Sequence, residues 1–368
     1  MPVDSIRLAS FRNLADGEVD LQASRVFLIG ENGQGKTNLL EALYYLSYGS
    51  SFRGQVDSDI PRRGSQAFLL DGRVRSQAGS EGPAERITCS WKSRIKEIRR
   101  EGKPLRDRKE LVELNPAIVY CHEDFSFAAG EPERRRFFFD QTAGLLSLGY
   151  IDLLRDYRKI LGQRNASLRE GRMDLLEVLD WQLAAKGLEL VAERNELAKD
   201  FVVLFAPLFE KVSGLGFPVE PAYRPSWKES EGWDLDSVVK ALGERRREEL
   251  AMKTSLSGPH RDRWVFVAEG RDFAATASTG QLRLLSLVLR SSQARHYSAR
   301  SGRFPLLLLD DVLLELDPER RKRFFSTLPE STQAIFTFLP GEDWEGYRDG
   351  SSLVYGVADG RFAHQVGP

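Results

Sequence analysis

Residues 26–48 read VFLIGENGQGKTNLLEALYYLSY. Val26 to Ile29 form a short unbroken apolar run, the pattern of a strand buried on both faces of a sheet. Leu39, Leu40, Leu43 and Leu46 then recur at helical spacing. Between them lies GENGQGKT, Gly30 to Thr37, which fits the phosphate-binding loop pattern in full and in the strand-to-helix setting that the pattern requires. Gly30, Gly33 and Gly35 let the main chain wrap phosphate oxygens with no Cβ in the way, and Glu31, Asn32 and Gln34 complete the loop. Its N–H groups and the start of the helix present partial positive charge to an anion. Lys36 adds a full charge toward the β- and γ-phosphates, and Thr37 offers a hydroxyl to Mg²⁺. The ligand implied is a nucleotide with its magnesium.

A second stretch completes that chemistry. Leu306 to Asp311 reads LLLLDD, a buried strand running into carboxylates. Asp310 is placed to hold Mg²⁺ through a water, and Asp311 to orient or deprotonate the attacking water. Acids at a strand end are common by themselves; the phosphate loop gives this pair its meaning. Ser278, Thr279, Gly280 and Gln281 precede Leu282, Leu285 and Leu289 at helical spacing. They read either as an ordinary helix cap or as an anion-binding helix start that meets a γ-phosphate.

Around these stretches the chain divides by character. Ile6, Leu8 and Phe11, then Val19 and Leu21, suggest strands, as do short segments across residues 50–115. From Arg134 to about Phe209 the pattern is helical and highly charged, with Leu153, Leu154, Tyr157 and Leu161 in period. A looser stretch from Ser213 to Glu231 leads to a helix ending near Leu250. Strands and helices then alternate from Trp264, with a strand at Ala334 to Phe338 and another at Leu353 to Val357. The expectation is an α/β domain built from both chain ends, with an inserted, mainly helical lobe. Its pieces are residues 1–125, a helical lobe at 126–253, and the returning part at 254–368.

Composition sets limits. The chain has 368 residues, 53 basic and 54 acidic, for a net charge of -1. That excludes a globally basic nucleic-acid binder, so contact with DNA must come from a local patch or from assembly. The basic runs Arg134 to Arg136, Arg245 to Arg247 and Arg320 to Arg323 are the candidates. The two cysteines, Cys89 and Cys121, form no disulfide framework and read as core residues of a reduced interior. His122, His296 and His364 sit in no metal or catalytic pattern. The opening, MPVDSIRLASFRN, lacks a signal-type apolar stretch. The longest apolar runs, at Phe201 to Phe209 and Leu306 to Leu309, are too short to cross a bilayer. A cytoplasmic protein without membrane attachment is expected.

With these residues assembled, the chain resembles the RecF family, bacterial recombination-mediator ATPases of the SMC-like branch of the ABC ATPases. The likeness covers nearly the whole length. Phe11-Arg12-Asn13 resembles the family's FRN element, and GENGQGKTNLLEAL with GSSFR, Gly49 to Arg53, its phosphate-loop block. Glu123-Asp124, Gly130, Arg134 to Arg136 and Asp140 resemble the region that replaces the usual glutamine loop. Arg155 to Asn165, ending LGQRN, resembles the opening of the family's helical lobe; SGPHRD, Ser257 to Asp262, the signature STGQ and the string LLLLDDVLLELD ending at Asp317 follow. Arg263 stands where the family usually has a second aspartate. ABC ATPases place a histidine in the switch segment; QAIFTFLP, Gln333 to Pro340, has none, and Thr337 is the substitute it offers.

The resemblance implies an ABC-type P-loop ATPase head and a mechanism. Two chains sandwich two ATP molecules, each site taking Lys36, Thr37 and Asp310 from one chain and Ser278 to Gln281 from the other. It implies an ATP-dependent homodimer that binds DNA near single-strand/double-strand junctions, with single-stranded DNA among its ligands. RecR and RecO are its implied partners for loading RecA in gap repair, replication restart and SOS induction, and its ATPase is weak and DNA-stimulated. Two other classes share parts of this pattern. A transporter's nucleotide-binding subunit carries an LSGGQ-like signature and a glutamine loop rather than STGQ. A scaffold with a vestigial nucleotide site has only the altered switch segment in its favour.

Overall fold

The structure, a computed structural model, describes residues 2–75, 83–227, 234–312, 316–329, 331 and 333–365. Leu313 to Glu315, inside the LLLLDDVLLELD string, and the end of the looser stretch at Glu231 lie outside these. The chain divides into two compact units, Met1–Asp124 with Tyr297–Pro368, and Phe125–His296.

In the first unit, β1 (Val3–Ala9), β2 (Gly17–Asp20) and β3 (Arg25–Ile29) lead into α1 (Lys36–Tyr48). Then come β4 (Ala67–Val74), β5 (Glu85–Lys92), β6 (Ile95–Arg100), β7 (Lys103–Pro104), α2 (Lys109–Leu114) and β8 (Ala117–Tyr120). One antiparallel sheet has the order β2-β1-β4-β5-β6-β7. Strands therefore lie at 67–74, 85–92, 95–100 and 103–104 of the segment expected to carry them, and a helix closes it.

The second unit holds α3 (Phe125–Ala129), α4 (Pro132–Leu146), α5 (Leu148–Glu170), α6 (Met173–Ser213), β9 (Glu220–Arg224), α7 (Leu235–Glu244), α8 (Arg246–Met252), β10 (Arg263–Ala268) and β11 (Arg271–Asp272). The long α9 (Thr279–Ser301) begins in it. Gly171, at φ 69°, ends α5 in the left-handed turn that an L side chain disfavours, and α6 packs back along α5. Tyr150, Tyr157, Leu183, Leu190, Val191 and Trp227 form one of its core clusters. The compact unit that opens at Phe125 runs on to His296, past residue 254, where the returning part was expected to begin. The cause is β9, which lies in the Gly- and Pro-containing stretch without alternation. It pairs antiparallel with β10, and β10 with β11, so these strands stay in the helical unit.

Back in the first unit come β12 (Leu306–Leu309), α10 (Pro318–Phe325), β13 (Gln333–Phe338), β14 (Leu353–Ala358) and β15 (Arg361–His364). The second sheet has the order β15-β14-β3-β13-β12-β8, parallel except at β15. Helix α1 shares a core with both sheets of this unit. That explains its sequence: Leu39, Leu40, Ala42, Leu43, Tyr45 and Leu46 are all buried, because a helix covered on opposite sides has no polar face to keep. The order β3-β13-β12 sets the carboxyl ends of three parallel strands side by side, the place where α/β sheets hold ligands.

Candidate functional site

The loop that leaves β3 is shaped by its glycines and by its neighbours. A Cβ on Gly30 would lie 2.3 Å from the Val357 carbonyl oxygen. Gly35 starts α1 at φ 113°, in the left-handed region. The Lys36 side chain, 3% exposed, turns back over the loop. Its Nζ donates to the carbonyls of Gly30 at 2.6 Å and Glu31 at 3.2 Å. Thr37 Oγ1 donates to Asp310 Oδ1 at 2.8 Å. Glu31, Asn32, Gly33, Gly35, Lys36, Thr37, Asn38, Arg53 and Asp311 line a cavity of about 210 Å³.

Asp310 and Asp311 follow β12 directly. Burial pushes the Asp310 carboxyl up to about 6; the nearby charge of Asp311 adds to this and the hydrogen bond from Thr37 opposes it. Thr337, at the matching end of β13, lies beside both acids. Its hydroxyl accepts the Asp311 N–H at 2.8 Å and is 2.8 Å from Asp311 Oδ1 and 3.4 Å from Asp310 Oδ1.

The surrounding motifs brace this arrangement. Phe11 is fully buried. Arg12 grips the fully buried Glu41 of α1 with two bonds, Nε to Oε2 at 2.9 Å and Nη2 to Oε1 at 2.6 Å. Ser51 donates to the same carboxylate at 2.5 Å, and Arg53 lies 3.6 Å from it. Asn13 donates to the Gly33 carbonyl at 2.9 Å and accepts from Asn38 at 2.7 Å. The turn between β14 and β15 supports the loop from its other side. Gln34 Oε1 accepts the Asp359 N–H, and the Gln34 carbonyl accepts the Gly360 N–H. Asp359 and Gly360, at φ 49° and 72°, make a two-residue hairpin turn of the type that favours Asp-Gly.

The structure thus brings together Gly30, Glu31, Asn32, Gly33, Gln34, Gly35, Lys36 and Thr37 with Asp310 and Asp311. It places Ser278, Thr279, Gly280 and Gln281 at the start of α9, in the second unit. There the Ser278 N–H donates to Gln281 Oε1 at 2.7 Å and the Gln281 N–H to Ser278 Oγ at 3.3 Å, a reciprocal capping box. Several contributors carried little signal. Glu41 is one acid in a largely apolar helix, and its burial among those residues is itself a cue. The Asp-Gly pair at 359–360 is a hairpin signal in its own right.

Of the basic runs, Arg135, Arg136 and Arg246 are committed inside the protein, while Arg245, Arg320 and Arg323 pair at the surface. Arg135 donates to the carbonyls of Trp264 and Ala128, and Arg136 to that of Asp262. Arg246 pairs with Asp180, Arg245 with Glu248, Arg320 with Asp317 and Arg323 with Glu319. Arg134 and Arg247 are exposed.

The string SGPHRD folds into the second unit. His260 Nδ1 lies 2.7 Å from the Tyr157 hydroxyl and Nε2 3.2 Å from the Ser255 carbonyl, which fixes the neutral tautomer with its proton on Nε2. Burial pushes this imidazole down to about 4. Asp262 takes Arg194 at 2.7 Å, the Ser226 N–H at 2.7 Å and the Tyr223 hydroxyl.

A phosphate loop after a parallel strand, paired acids after a strand two places away in the sheet, and a helical unit within the chain define an SMC-like, ABC-type P-loop ATPase head. Comparison with known proteins narrows the class. The model of the RecF/RecN/SMC N terminal domain matches residues 2–346. The DNA replication and repair protein RecF of Treponema pallidum (strain Nichols) is 41% identical over 351 residues, covering 95% of this chain and 98% of that one. Its namesake from Heliobacterium modesticaldum is 32% identical over 91% of each chain. The chain belongs to the RecF family. A solved structure of the recombination mediator protein RecF with ATP, in the RecFOR pathway, superposes with a TM-score of 0.88 at 26% identity, over 99% of this chain and 98% of that one. An Smc head bound to the C-winged helix domain of ScpA shares the fold, with a TM-score of 0.59 at 13% identity over 99% and 98%.

Proposed function

We propose that the protein is an ATP-dependent, DNA-binding clamp of DNA repair. Two copies close on two ATP molecules, bind DNA near single-strand/double-strand junctions, and work with RecR and RecO to load RecA in gap repair, replication restart and SOS induction. Its ATPase is weak and DNA-stimulated, and it works in the cytoplasm. The names of the relatives, and the ATP of the similar RecF structure, support this reading. Among the described residues, no helix is long and apolar enough to cross a membrane. One observation carries the proposal. Lys36, Thr37 and Asp311 line a single cavity, with Asp310 on the Thr37 hydroxyl.

The chemistry follows from these residues. The loop N–H groups and Lys36 hold the β- and γ-phosphates. Two of the three ammonium protons of Lys36 already go to loop carbonyls, which aims the third donor by elimination. Thr37 and Asp310 are a hydroxyl and a carboxylate in contact, a hard oxygen pair that suits Mg²⁺. The raised carboxyl of Asp310 marks a buried charge short of a cation, so the residues fit that ion. Among the described residues no cluster of three or more His, Cys, Asp or Glu could hold a metal, so Thr37 and Asp310 would hold Mg²⁺ together with water and phosphate oxygens. When bound, Mg²⁺ neutralises charge that develops on the phosphates. Asp311 orients or deprotonates the attacking water. Ser278 to Gln281 of the second copy close on the γ-phosphate.

Light scattering tests the clamp. Particle mass doubles with ATP·Mg²⁺, most clearly in Asp311→Asn, which binds with strongly slowed turnover. A mass that stays monomeric in that variant refutes the proposal. Lys36→Met abolishes ATP-dependent DNA binding in a fluorescence assay, and unchanged binding counts against it.

A further inference from the structure

Asp311 has a backbone φ of 50°, a left-handed conformation uncommon for a residue other than glycine. One side chain holds it there. Thr337 Oγ1 accepts the Asp311 N–H at 2.8 Å. The same oxygen lies 2.8 Å from Asp311 Oδ1, and 3.4 Å from both Asp310 Oδ1 and the Leu309 carbonyl. A threonine hydroxyl has one proton to give, and the shortest contact receives it. So one hydroxyl binds the main chain and the carboxylate of the same residue, fixing both the turn out of β12 and the rotamer of the acid. Thr337 is 3% exposed within β13, and its branched Cβ limits its own rotation.

We propose that Thr337 is a positioning residue for Asp311, setting the direction from which that carboxylate meets the attacking water. This rests on the reading of Asp311 given above. It assigns the switch segment a different task from contact with the nucleotide. Both good hydrogen bonds of the hydroxyl are spent on Asp311, and a γ-phosphate would have to break one to gain it. The effect belongs on the rate of hydrolysis, because a small misplacement of a reacting group is costly there.

The experiment compares Thr337→Val, Thr337→Ser and Asp311→Asn, with the Thr337→Val/Asp311→Asn double variant, in the full chain with DNA and ATP·Mg²⁺. Circular dichroism first establishes folding, and Thr337→Ala replaces the valine variant if valine fails. Thr337→Val lowers kcat by about ten- to a hundredfold, the range of other orienting groups. Nucleotide affinity changes by less than about threefold, and serine restores most of the rate. In the Asp311→Asn background the valine adds no further loss, as expected of groups acting through one another. Equal losses in both backgrounds, or weakened nucleotide binding at unchanged kcat, overturn the inference. Wild-type turnover in Thr337→Val overturns it alone and leaves the ATPase reading standing. A wild-type chain that releases no phosphate with DNA overturns both.

Discussion

Arg164 in the second unit and Asp310 in the first are ionisable groups withdrawn from water, and their surroundings differ in one respect. Arg164 is fully buried and meets Asp180 at 2.7 Å, Glu249 at 2.6 Å and Ser255 Oγ at 2.8 Å. Glu249 also takes the Leu256 N–H, and Asp180 also takes Arg246. Nearby Arg194 is bonded to Asp140, Asp262 and the Pro259 carbonyl. These charges close on themselves. Asp310 has a hydroxyl from Thr37 and another acid beside it, and among the described residues neither Asp310 nor Asp311 has an ion pair. A closed set of charges is scaffold; an open one is poised for a cation and the chemistry around it.

The sharpest way to break this contrast is to open the closed set. Arg164→Ala leaves the buried Glu249 without its cation and Asp180 with Arg246 alone, which costs about 3–5 kcal/mol. Denaturant unfolding of the full chain measures it. A loss below about 1 kcal/mol would mean that water reaches the network and that it is not closed. The same residues tie LGQRN to SGPHRD through Ser255, two residues ahead of the second string: Asn165 accepts the Ser255 N–H and hydroxyl, Arg164 bonds that hydroxyl, and His260 and Arg261 bond the Ser255 carbonyl.

The reverse experiment closes the open set. Asp310 is raised to about 6 in the native state, against about 3.9 in an unfolded chain. Such a group stabilises fully below the unfolded value and loses that contribution as pH rises through the folded one. Asp310→Asn therefore stabilises the metal-free, nucleotide-free chain above about pH 6 by up to ~3 kcal/mol, and the gain fades toward pH 4. His260 has the opposite sign. Lowered to about 4 from about 6.5 unfolded, it costs stability as pH falls between those values. Only the difference between variant and wild type isolates Asp310. If Asp310→Asn is destabilising at pH 8, its charge is compensated in the resting protein and the contrast fails.

What could be read from the sequence follows the same division. The loop and the acid pair are short, local strings whose side chains act at the end of a strand, and strand plus turn plus helix is a local pattern. The partners that hold them are far away in the chain. Thr337 meets Asp311 because β13 lies beside β12, Gln34 meets Asp359 through a hairpin more than three hundred residues on, and Arg12 meets Glu41 across the FRN turn. No periodicity encodes such pairings. β9 was illegible for a related reason: Glu220-Pro221-Ala222-Tyr223-Arg224 has no alternation, and its pairing with β10 makes it a strand. Of the basic runs, Arg135, Arg136 and Arg246 take partners from other elements, which their local sequence does not show, whereas Arg245, Arg320 and Arg323 pair within their own helices or caps.

The smallest effect bears on the signature. Ser278 and Gln281 already satisfy each other in a capping box, so the chain by itself gives them a reason to be there. Gly280 is different. It lies in the first turn of α9, its φ is not positive, and a Cβ added there would meet nothing within 4 Å. Nothing in this chain's described surroundings requires a glycine, and the residue loses more entropy on folding than alanine would. Gly280→Ala should therefore raise stability by about 0.4–1 kcal/mol. If a second copy's γ-phosphate approaches this turn, the added methyl group blocks it, and the same variant loses the ATP-dependent doubling of mass. A variant that is more stable and still doubles would place the glycine outside the sandwich. One that is more stable and stays monomeric would show a residue kept for contact with another chain at the expense of its own.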